Sequence, residues 1–234
     1  MPFENNRGVL YIVWGNSHDH LLERSIASLK KYHPELPVTI HRITLSTGQT
    51  GNSALLQHKA AMFKLSPYES TLFLDADTVV MGRLDYAFEK AERFGLACCV
   101  CECPWARRYS GLNSEMDLIE YNTGVLFFSR KAELLFTMWE RFSRTTSSSI
   151  QHISNGIVNV MLYNDQASFA KAIDIIEFNP FVLPLNWNLR PMWQRSFFGP
   201  VRIWHDVSAP SKSIYEISDL YENKETLITY FVID

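Results

Sequence analysis

Thr71-Leu-Phe-Leu-Asp-Ala-Asp77 is the stretch that decides the fold of this chain. Leu72-Phe-Leu74 is apolar on both faces, which is typical of a strand buried inside a parallel or mixed sheet. Asp75 and Asp77 follow at the carboxyl end of that strand, where open α/β sheets bind their ligands. Residues two apart on an extended segment point to the same side, so the carboxylates repel unless a cation or a shared proton relieves them. The stretch therefore predicts a buried strand that carries a site for a hard divalent ion, the alternative being a solvated turn or a helix cap.

Strands and helices alternate on both sides of this stretch. The apolar patterns predict strands at 9–14, 38–43, 71–74, 95–101, 124–128 and 174–178, and helices from Leu21 to before Pro34 and at 54–65, 84–93, 130–143 and 165–172. Buried strands that alternate with helices predict the α/β class, with a Rossmann-like, mixed but mostly parallel sheet flanked by helices. After residue 180 the pattern is irregular, and we expect that part to shape a site and not to extend the sheet.

The composition limits the size and the partners of the chain. Its 234 residues, 47% of them hydrophobic, can bury a sizeable core and predict one domain over residues 1–234. The formal net charge of -3 gives no electrostatic reason to expect nucleic acid or an anionic membrane as a partner. The first residues lack a basic segment followed by an apolar stretch, and no run approaches the roughly 18 apolar residues of a membrane helix. We therefore expect a cytoplasmic chain with no transmembrane segment.

All four cysteines fall in one short segment, as Cys98, Cys99, Cys101 and Cys103. Zinc sites usually combine two separated pairs of ligands, so this spacing does not favour zinc. The apolar neighbours of the segment predict a buried strand in which the thiols act as small hydrophobic groups.

Four segments, in this order along the chain, carry a resemblance to a known family. They are Lys59 with Tyr68-Glu-Ser-Thr-Leu-Phe-Leu-Asp-Ala-Asp-Thr-Val-Val80 and Leu84-Asp-Tyr-Ala-Phe88, then Tyr121-Asn-Thr-Gly-Val-Leu-Phe-Phe128, Asn164-Asp-Gln166, and Ile203-Trp-His205. Over residues 8–212 the chain resembles the family 8, glycogenin-like, retaining glycosyltransferases of the GT-A fold. Four ordered motifs are far more specific than an acidic triplet alone.

The resemblance implies a single GT-A-type domain, with a donor-binding core at about 8–130 and an acceptor and site-closing half at about 131–234. It implies a nucleotide-sugar donor, most simply a UDP-sugar, a carbohydrate or glycoconjugate acceptor, and Mn²⁺ or Mg²⁺ as cofactor. The residues it implies are Asp75, Asp77 and His205 for the metal; Lys59, Asp75, Ala76, Asp77, Asn122, Thr123 and Gly124 for the donor; and Asp165 and Gln166 for catalysis. An imidazole beside two carboxylates suits Mn²⁺ better than Mg²⁺.

Each of these residue types also has a structural interpretation. His205 fits a hydrogen-bonded core histidine, and Lys59 fits a solvated helix residue. Asp165 is a good helix N-cap with Gln166 in the first turn. Asn122 to Gly124 fits a turn that enters a strand.

The chain departs from the family after His205. The family has a glycine three residues later and a lysine six residues later, where this chain has Ser208 and Ser211, and Lys212 follows one position on. Before that point, the aromatic and arginine segment Asn186–Arg195 suggests an acceptor site, because sugar faces pack on aromatic rings. Core packing is the alternative.

Three other functions compete with sugar transfer. The stretch around Asp75 also resembles the first motif of haloacid-dehalogenase-type phosphohydrolases, in which Asp75 would be the nucleophile and Asp77 the acid/base. Those enzymes usually place it on their first strand and add a late acidic motif of the Gly-Asp or Asp-Asp kind. This chain has about 74 residues before Asp75 and neither dipeptide after it. A sugar-nucleotide pyrophosphorylase would need a glycine-rich, basic loop after Trp14. A catalytically inactive nucleotide-sugar-binding protein is the third alternative.

Two expectations concern chemistry and stability. The matched Asp165-Gln166 pair belongs to a retaining family, and no carboxylate or histidine in the sequence stands out as a dedicated base, so we expect retention of the anomeric configuration. Because two neighbouring carboxylates repel, we expect Asp77→Asn to leave the metal-free protein equally or slightly more stable.

Overall fold

A computed structural model describes residues 6–43, 57–102, 119–146, 150–161, 164–222 and 230–233 of the chain. Its strands are β1 (Arg7–Trp14), β2 (Val38–Ile43), β3 (Ser70–Leu74), β4 (Thr78–Val80), β5 (Leu96–Val100), β6 (Tyr121–Ser129), β7 (Ile150–Ser154), β8 (Ile157–Met161), β9 (Phe181–Val182), β10 (Ser196–Phe198), β11 (Ile203–His205) and β12 (Tyr230–Val232). Its helices are α1 (Asp19–Tyr32), α2 (Met62–Leu65), α3 (Asp85–Phe94), α4 (Glu133–Ser143), α5 (Asp165–Ile175) and α6 (Lys212–Glu222), and residues 57–60 are also helical.

The central sheet has six strands in the order β2-β1-β3-β6-β5-β9. β1 runs parallel to β2 and β3, and β9 runs parallel to β5. Only β6 is reversed within this sheet, because it pairs antiparallel with both β3 and β5. The predicted mixed, mostly parallel sheet is therefore confirmed, and the carboxyl ends of β1, β3 and β5 lie at one edge.

Each face of the sheet is covered by helices. On one face, Phe73 and Phe128 pack with α4 and α5 around Trp139. On the other face, Leu72 and Phe127 pack with α1 and α3. Alternate residues of β3 and β6 thus enter different cores, which explains why these strands read as uninterrupted apolar runs.

The predicted strand at 174–178 is wrong, because α5 continues to Ile175. Glu177 then adopts a left-handed conformation with φ 51°. Its N–H donates to the carbonyl of Asp174, and the N–H of Phe178 donates to that of Ile173. This pair of bonds is the Schellman ending of a helix. The apolar residues at 173–176 therefore end a helix, and the next strand is β9.

The expectation that the chain after residue 180 does not extend the sheet is also wrong. Phe181 and Val182 pair with Ala97 and Cys98 and so add β9 to the edge of the sheet. Elsewhere this part forms short pairs: β11 pairs antiparallel with β4, and β10 with β12.

The hairpin of β7 and β8 was not predicted. Its turn is Asn155-Gly156, with φ 52° and 76°, the combination that favours a two-residue hairpin turn. The Asn-Gly pair is the signal that could have found it. Ile153, Ile157 and Val158 are exposed on this hairpin.

Within the described ranges, no helix is long and apolar enough to cross a membrane.

Candidate metal and donor site

The acidic pair lies in a tight turn between β3 and β4. The N–H of Asp75 donates to the carbonyl of Gly124 at 2.8 Å, which continues the pairing of β3 with β6 by one residue. The hydroxyl and the N–H of Thr78 both donate to the carbonyl of Asp75. The turn from Asp75 to Asp77 is thus fixed at both ends by backbone bonds.

His205 reaches the acidic pair through β11. In the pairing of β11 with β4, His205 lies opposite Thr78, and the N–H of Asp206 donates to the carbonyl of Asp77. The Nε2 atom of His205 lies 3.3 Å from Oδ1 of Asp77 and 3.8 Å from Oδ2 of Asp75. The structure therefore brings together the three residues that the resemblance implied, although His205 follows Asp77 by 128 residues in the sequence.

The geometry of this triad fits a divalent ion. One ligand atom from each of Asp75, Asp77 and His205 lies within 4.8 Å of the other two. Oxygen and nitrogen ligands at about 2.1 Å from one ion are separated by roughly 3 to 4 Å, so small movements suffice to bind it. The Nδ1 atom of His205 lies 2.8 Å from Oδ1 of Asn188, which leaves Nε2 to face the carboxylates.

Lys59 lies between two carboxylates. Its Nζ atom is 3.1 Å from Asp75 and 3.0 Å from Asp165, and the residue is buried. Burial would lower the pKa of Lys59, but the charges of Asp165 and Asp75 outweigh it and hold the pKa above its ordinary value. The structure therefore contradicts the interpretation of Lys59 as a solvated residue.

Asp165 is the first residue of α5 but is not its cap. The cap is Asn164, whose side chain accepts from the N–H of Gln166. The Oδ2 atom of Asp165 accepts a bond of 2.7 Å from the hydroxyl of Thr123 and pairs with Lys59. Burial opposes the ionisation of Asp165, yet Lys59 and Thr123 keep its pKa below the ordinary value.

Asn122, Thr123 and Gly124 lie within β6 and do not form a turn. Asn122 donates from Nδ2 to Gln166 and accepts at Oδ1 from the N–H of Gly124. A β-carbon at Gly124 would overlap Cε1 of His205 and would lie 2.5 Å from Oδ2 of Asp75. Only glycine allows these two side chains to approach the strand so closely.

The two carboxylates of the acidic pair differ in their pKa. Burial raises the pKa of Asp75, and the negative charges of Asp77 and Asp165 add to that effect against Lys59 and His205. For Asp77, burial acts in the same direction, but the hydrogen bond and charge of His205 outweigh it and lower the pKa to about 2. Ala76, between them, is partly buried against the α1 and α3 core.

Sequence reasoning missed Glu102 in this site. Glu102 follows β5 at the same sheet edge at which Asp75 follows β3, and that position is the signal that could have found it. Its Oε2 atom lies 3.1 Å from Arg190, while Oε1 is buried with no hydrogen-bond partner among the described residues. Burial raises its pKa.

The cysteine prediction is confirmed for the described residues. Cys98 and Cys99 lie in β5, and burial raises the pKa of both thiols. Cys101 is buried just after β5, where its sulfur accepts from Nε2 of Gln166. Cys103 lies outside the described residues.

The segment Asn186–Arg195 divides into different environments. Trp187 is buried against Phe127, which favours core packing for that ring. Arg190 pairs with Glu102 in the site. Trp193 is 41% exposed.

Lys212 begins α6. Its side chain is exposed and pairs with Glu216 one turn later.

The chain is similar in structure to solved glycosyltransferases. Mouse xyloside xylosyltransferase 1 aligns with a TM-score of 0.54 and 12% identity, over 87% of this chain and 99% of its own. The galactosyltransferase LgtC, solved with donor and acceptor sugar analogs, aligns with a TM-score of 0.54 and 14% identity, over 86% of this chain and 87% of its own. The glycosyltransferase GlyE of Streptococcus pneumoniae aligns with a TM-score of 0.54 and 12% identity, over 95% of this chain and 61% of its own.

The fold is that of the GT-A glycosyltransferases. At 12–14% identity the likeness extends to the fold alone. No family model matches the chain, and no curated protein matches it by sequence.

The close approach at Gly124 yields a first prediction. Gly124→Ala should lower the free energy of unfolding by about 1–3 kcal/mol, because the added methyl group must displace His205 or Asp75. The same displacement should weaken Mn²⁺ binding at least about tenfold. Urea unfolding and calorimetric titration with Mn²⁺ measure the two effects.

Gly82→Ala is the matched control, since its β-carbon would meet only the end of the flexible Arg202 side chain. Equal losses in both variants would contradict the role given to Gly124.

The different pKa shifts of the acidic pair yield a second prediction for the metal-free protein. A lowered carboxyl pKa means that ionised Asp77 stabilises the fold above pH 4, and that this contribution is lost as the pH falls towards 2. Asp77→Asn should therefore cost about 1 kcal/mol at pH 5, a value reduced for solvent screening of a side chain that is 32% exposed. The sign is opposite to the expectation from repulsion alone, because His205 stabilises the charge.

Asp75→Asn should do the reverse. Its raised pKa means that the ionised carboxylate opposes folding, so the amide should stabilise the protein at pH 5 and have little effect at pH 2, where both states are protonated. Unfolding free energies with a chelator between pH 2 and pH 6 measure both variants. Identical pH profiles for the two would contradict the assignment.

Proposed function

We propose that this protein transfers a sugar from a nucleotide-sugar donor, most simply a UDP-sugar, to a carbohydrate or glycoconjugate acceptor, with retention and with a divalent ion. The observation that carries the proposal is the convergence of Asp75, Asp77 and His205 at the carboxyl end of β3 in a GT-A fold. That edge of an α/β sheet is where ligands bind.

Asp75, Asp77 and His205 would hold the ion, and their two oxygens and one imidazole nitrogen favour Mn²⁺ over Mg²⁺. When bound, a divalent ion supplies positive charge that stabilises a departing nucleoside diphosphate.

The remaining residues act on the donor sugar. Lys59 and Thr123 fix the carboxylate of Asp165, and Asn122 fixes the amide of Gln166. Both side chains are thereby held in one orientation at the start of α5. In our proposal Asp165 accepts hydrogen bonds from sugar hydroxyl groups, and Gln166 lies against the reacting carbon, where a preorganised dipole stabilises developing charge.

Glu102 supplies the alternative to retention. A carboxylate with a raised pKa and an oxygen without a described partner is the type of group that an inverting enzyme would use as a base. We assign Glu102 to binding instead, because Arg190 holds its other oxygen.

Retention is therefore the third prediction. NMR of the first-formed product from an α-linked donor should show an α-linkage. Glu102→Gln should then lower kcat/KM by no more than about tenfold, which corresponds to about 1.4 kcal/mol. A β-linked product, with a loss of about 1,000-fold or more in Glu102→Gln, would identify Glu102 as the base of an inverting reaction.

The phosphohydrolase alternative is disfavoured by the position of Asp75. Those enzymes usually carry the nucleophile after their first strand. Asp75 instead follows the third strand of the chain, next to the antiparallel β6. Release of phosphate from simple phosphomonoesters, through a phosphorylated Asp75, would reinstate this alternative.

Donor screening tests the proposal as a whole. With Mn²⁺, the correct member of a panel of UDP- and GDP-sugars should stabilise the protein by about 2.7 kcal/mol at 100 times its dissociation constant. A transferase should also hydrolyse that donor slowly without an acceptor. Binding without any release of nucleotide would indicate the inactive binding protein.

The fourth prediction concerns Asp77→Asn. The isosteric amide should leave the fold intact but remove a hard anionic ligand, and donor turnover should fall by at least about 100-fold, or roughly 2.7 kcal/mol. Asp174→Asn, the same change at an exposed position of α5, is the control and should retain turnover. Wild-type Mn²⁺-dependent hydrolysis in Asp77→Asn would show that the acidic pair is not the metal site.

A further inference from the structure

A chain of buried side-chain amides connects the backbone of β6 to His205. Asn122 and Asn188 are both at least nine-tenths buried. Gly124 N to Asn122 Oδ1 measures 2.9 Å, Asn188 Nδ2 to Asn122 Oδ1 measures 2.8 Å, and Asn188 Oδ1 to His205 Nδ1 measures 2.8 Å.

The direction of every bond in this chain follows from its first member. A backbone N–H can only donate, so the atom of Asn122 that faces Gly124 must be its oxygen. That same oxygen faces Asn188, so the facing atom of Asn188 must be its NH₂ group. The remaining atom of Asn188 is then an oxygen, and it can only accept.

These bond directions determine which nitrogen of the His205 ring carries a proton. An oxygen of Asn188 at 2.8 Å requires that Nδ1 of His205 carries a proton. In the neutral ring Nε2 then holds a lone pair, and it is Nε2 that lies 3.3 Å from Asp77 and 3.8 Å from Asp75. We propose that Asn188, anchored by Asn122, is a positioning residue that fixes the tautomer of His205 and so presents Nε2 as a metal ligand. The metal-ligand part rests on the proposed function.

The backbone around Asn188 places it for this role. Leu189 donates to the carbonyl of Ile203 and accepts from the N–H of His205. This bridge sets Asn188 beside the imidazole of His205. An outer partner that orients a ligating histidine typically contributes 10- to 100-fold to metal affinity.

Gln166 is also bonded to Asn122, so the network of hydrogen-bonded amides branches at Asn122. Asn122 donates from Nδ2 to Oε1 of Gln166, and Gln166 donates from Nε2 to the sulfur of Cys101. The amide of Gln166, which contacts the donor in our proposal, and the amide of Asn188, which orients His205, are therefore both set by Asn122, the first through its NH₂ group and the second through its oxygen.

The fifth prediction is tested by the ¹⁵N NMR signals of His205 in the metal-free protein. At alkaline pH, where the ring is neutral, wild type should show a protonated Nδ1 and an unprotonated Nε2. Asn188→Leu should lose this preference and should bind Mn²⁺ 10- to 100-fold more weakly by calorimetry without donor. Asn188→Asp keeps an acceptor for Nδ1–H, although its carboxylate cannot donate to Oδ1 of Asn122, so it should keep the tautomer and bind Mn²⁺ more tightly than Asn188→Leu does.

Asn186→Leu is the matched control. Asn186 is a buried residue of the same segment that bonds to the carbonyl of Pro200 and not to His205, so its loss should change neither readout. A protonated Nε2 in wild type overturns the proposal without any variant, so it stays falsifiable even where Asn188→Leu fails to fold. Wild-type affinity for Mn²⁺ in a folded Asn188→Leu overturns it as well. The expected tautomer with no Mn²⁺ binding by wild type would retain the role of Asn188 in fixing the ring and would reject the metal site of the proposed function.

Discussion

The register between β3 and β6 is the constraint on which the rest of the site depends. Leu74 lies opposite Val125, and the N–H of Asp75 bonds to the carbonyl of Gly124. A slip of β6 by one residue would move Val125 and Phe127 out of their core and would bring the side chain of Thr123 or Val125 to the position of Gly124. Because a β-carbon there would collide with His205, the three residues of the candidate metal site could no longer meet. The burial of alternating apolar residues in two separate cores therefore stabilises the site as well as the sheet.

The central part of this arrangement could be predicted from sequence because it is local. The apolar run before Asp75 identifies a buried strand, and the position of two carboxylates after it identifies the edge that binds a ligand. The order of the later motifs placed Asn122 and His205 near that edge only through the family resemblance. Spacing alone could not, since the pairing of β11 with β4 involves three residues on each strand and joins Thr78 to His205.

What the sequence did not predict depends on contacts between distant segments. Glu102 carries no motif, and its role follows only from the pairing of its side chain with Arg190, 88 residues later. The helix ending at Glu177 has no glycine to mark it, so its apolar residues resembled a strand. The role that we propose for Asn188 depends on its hydrogen bond to Asn122, which lies 66 residues earlier in the sequence. In each case the local pattern allows two structures, and the tertiary contact decides between them.

The charge of the site explains why amides, and not carboxylates, support His205. Asp75, Asp77 and Asp165 carry three negative charges, of which Lys59 compensates one. A single divalent ion would balance the other two, while Glu102 is already paired with Arg190. A carboxylate at position 188 would also accept the Nδ1–H bond but would leave one uncompensated negative charge beside the place where the proposed diphosphate donor would bind. The neutral side chain of an asparagine orients the imidazole of His205 by a hydrogen bond and adds no charge. The attraction of the site for the proposed anionic donor is therefore not reduced.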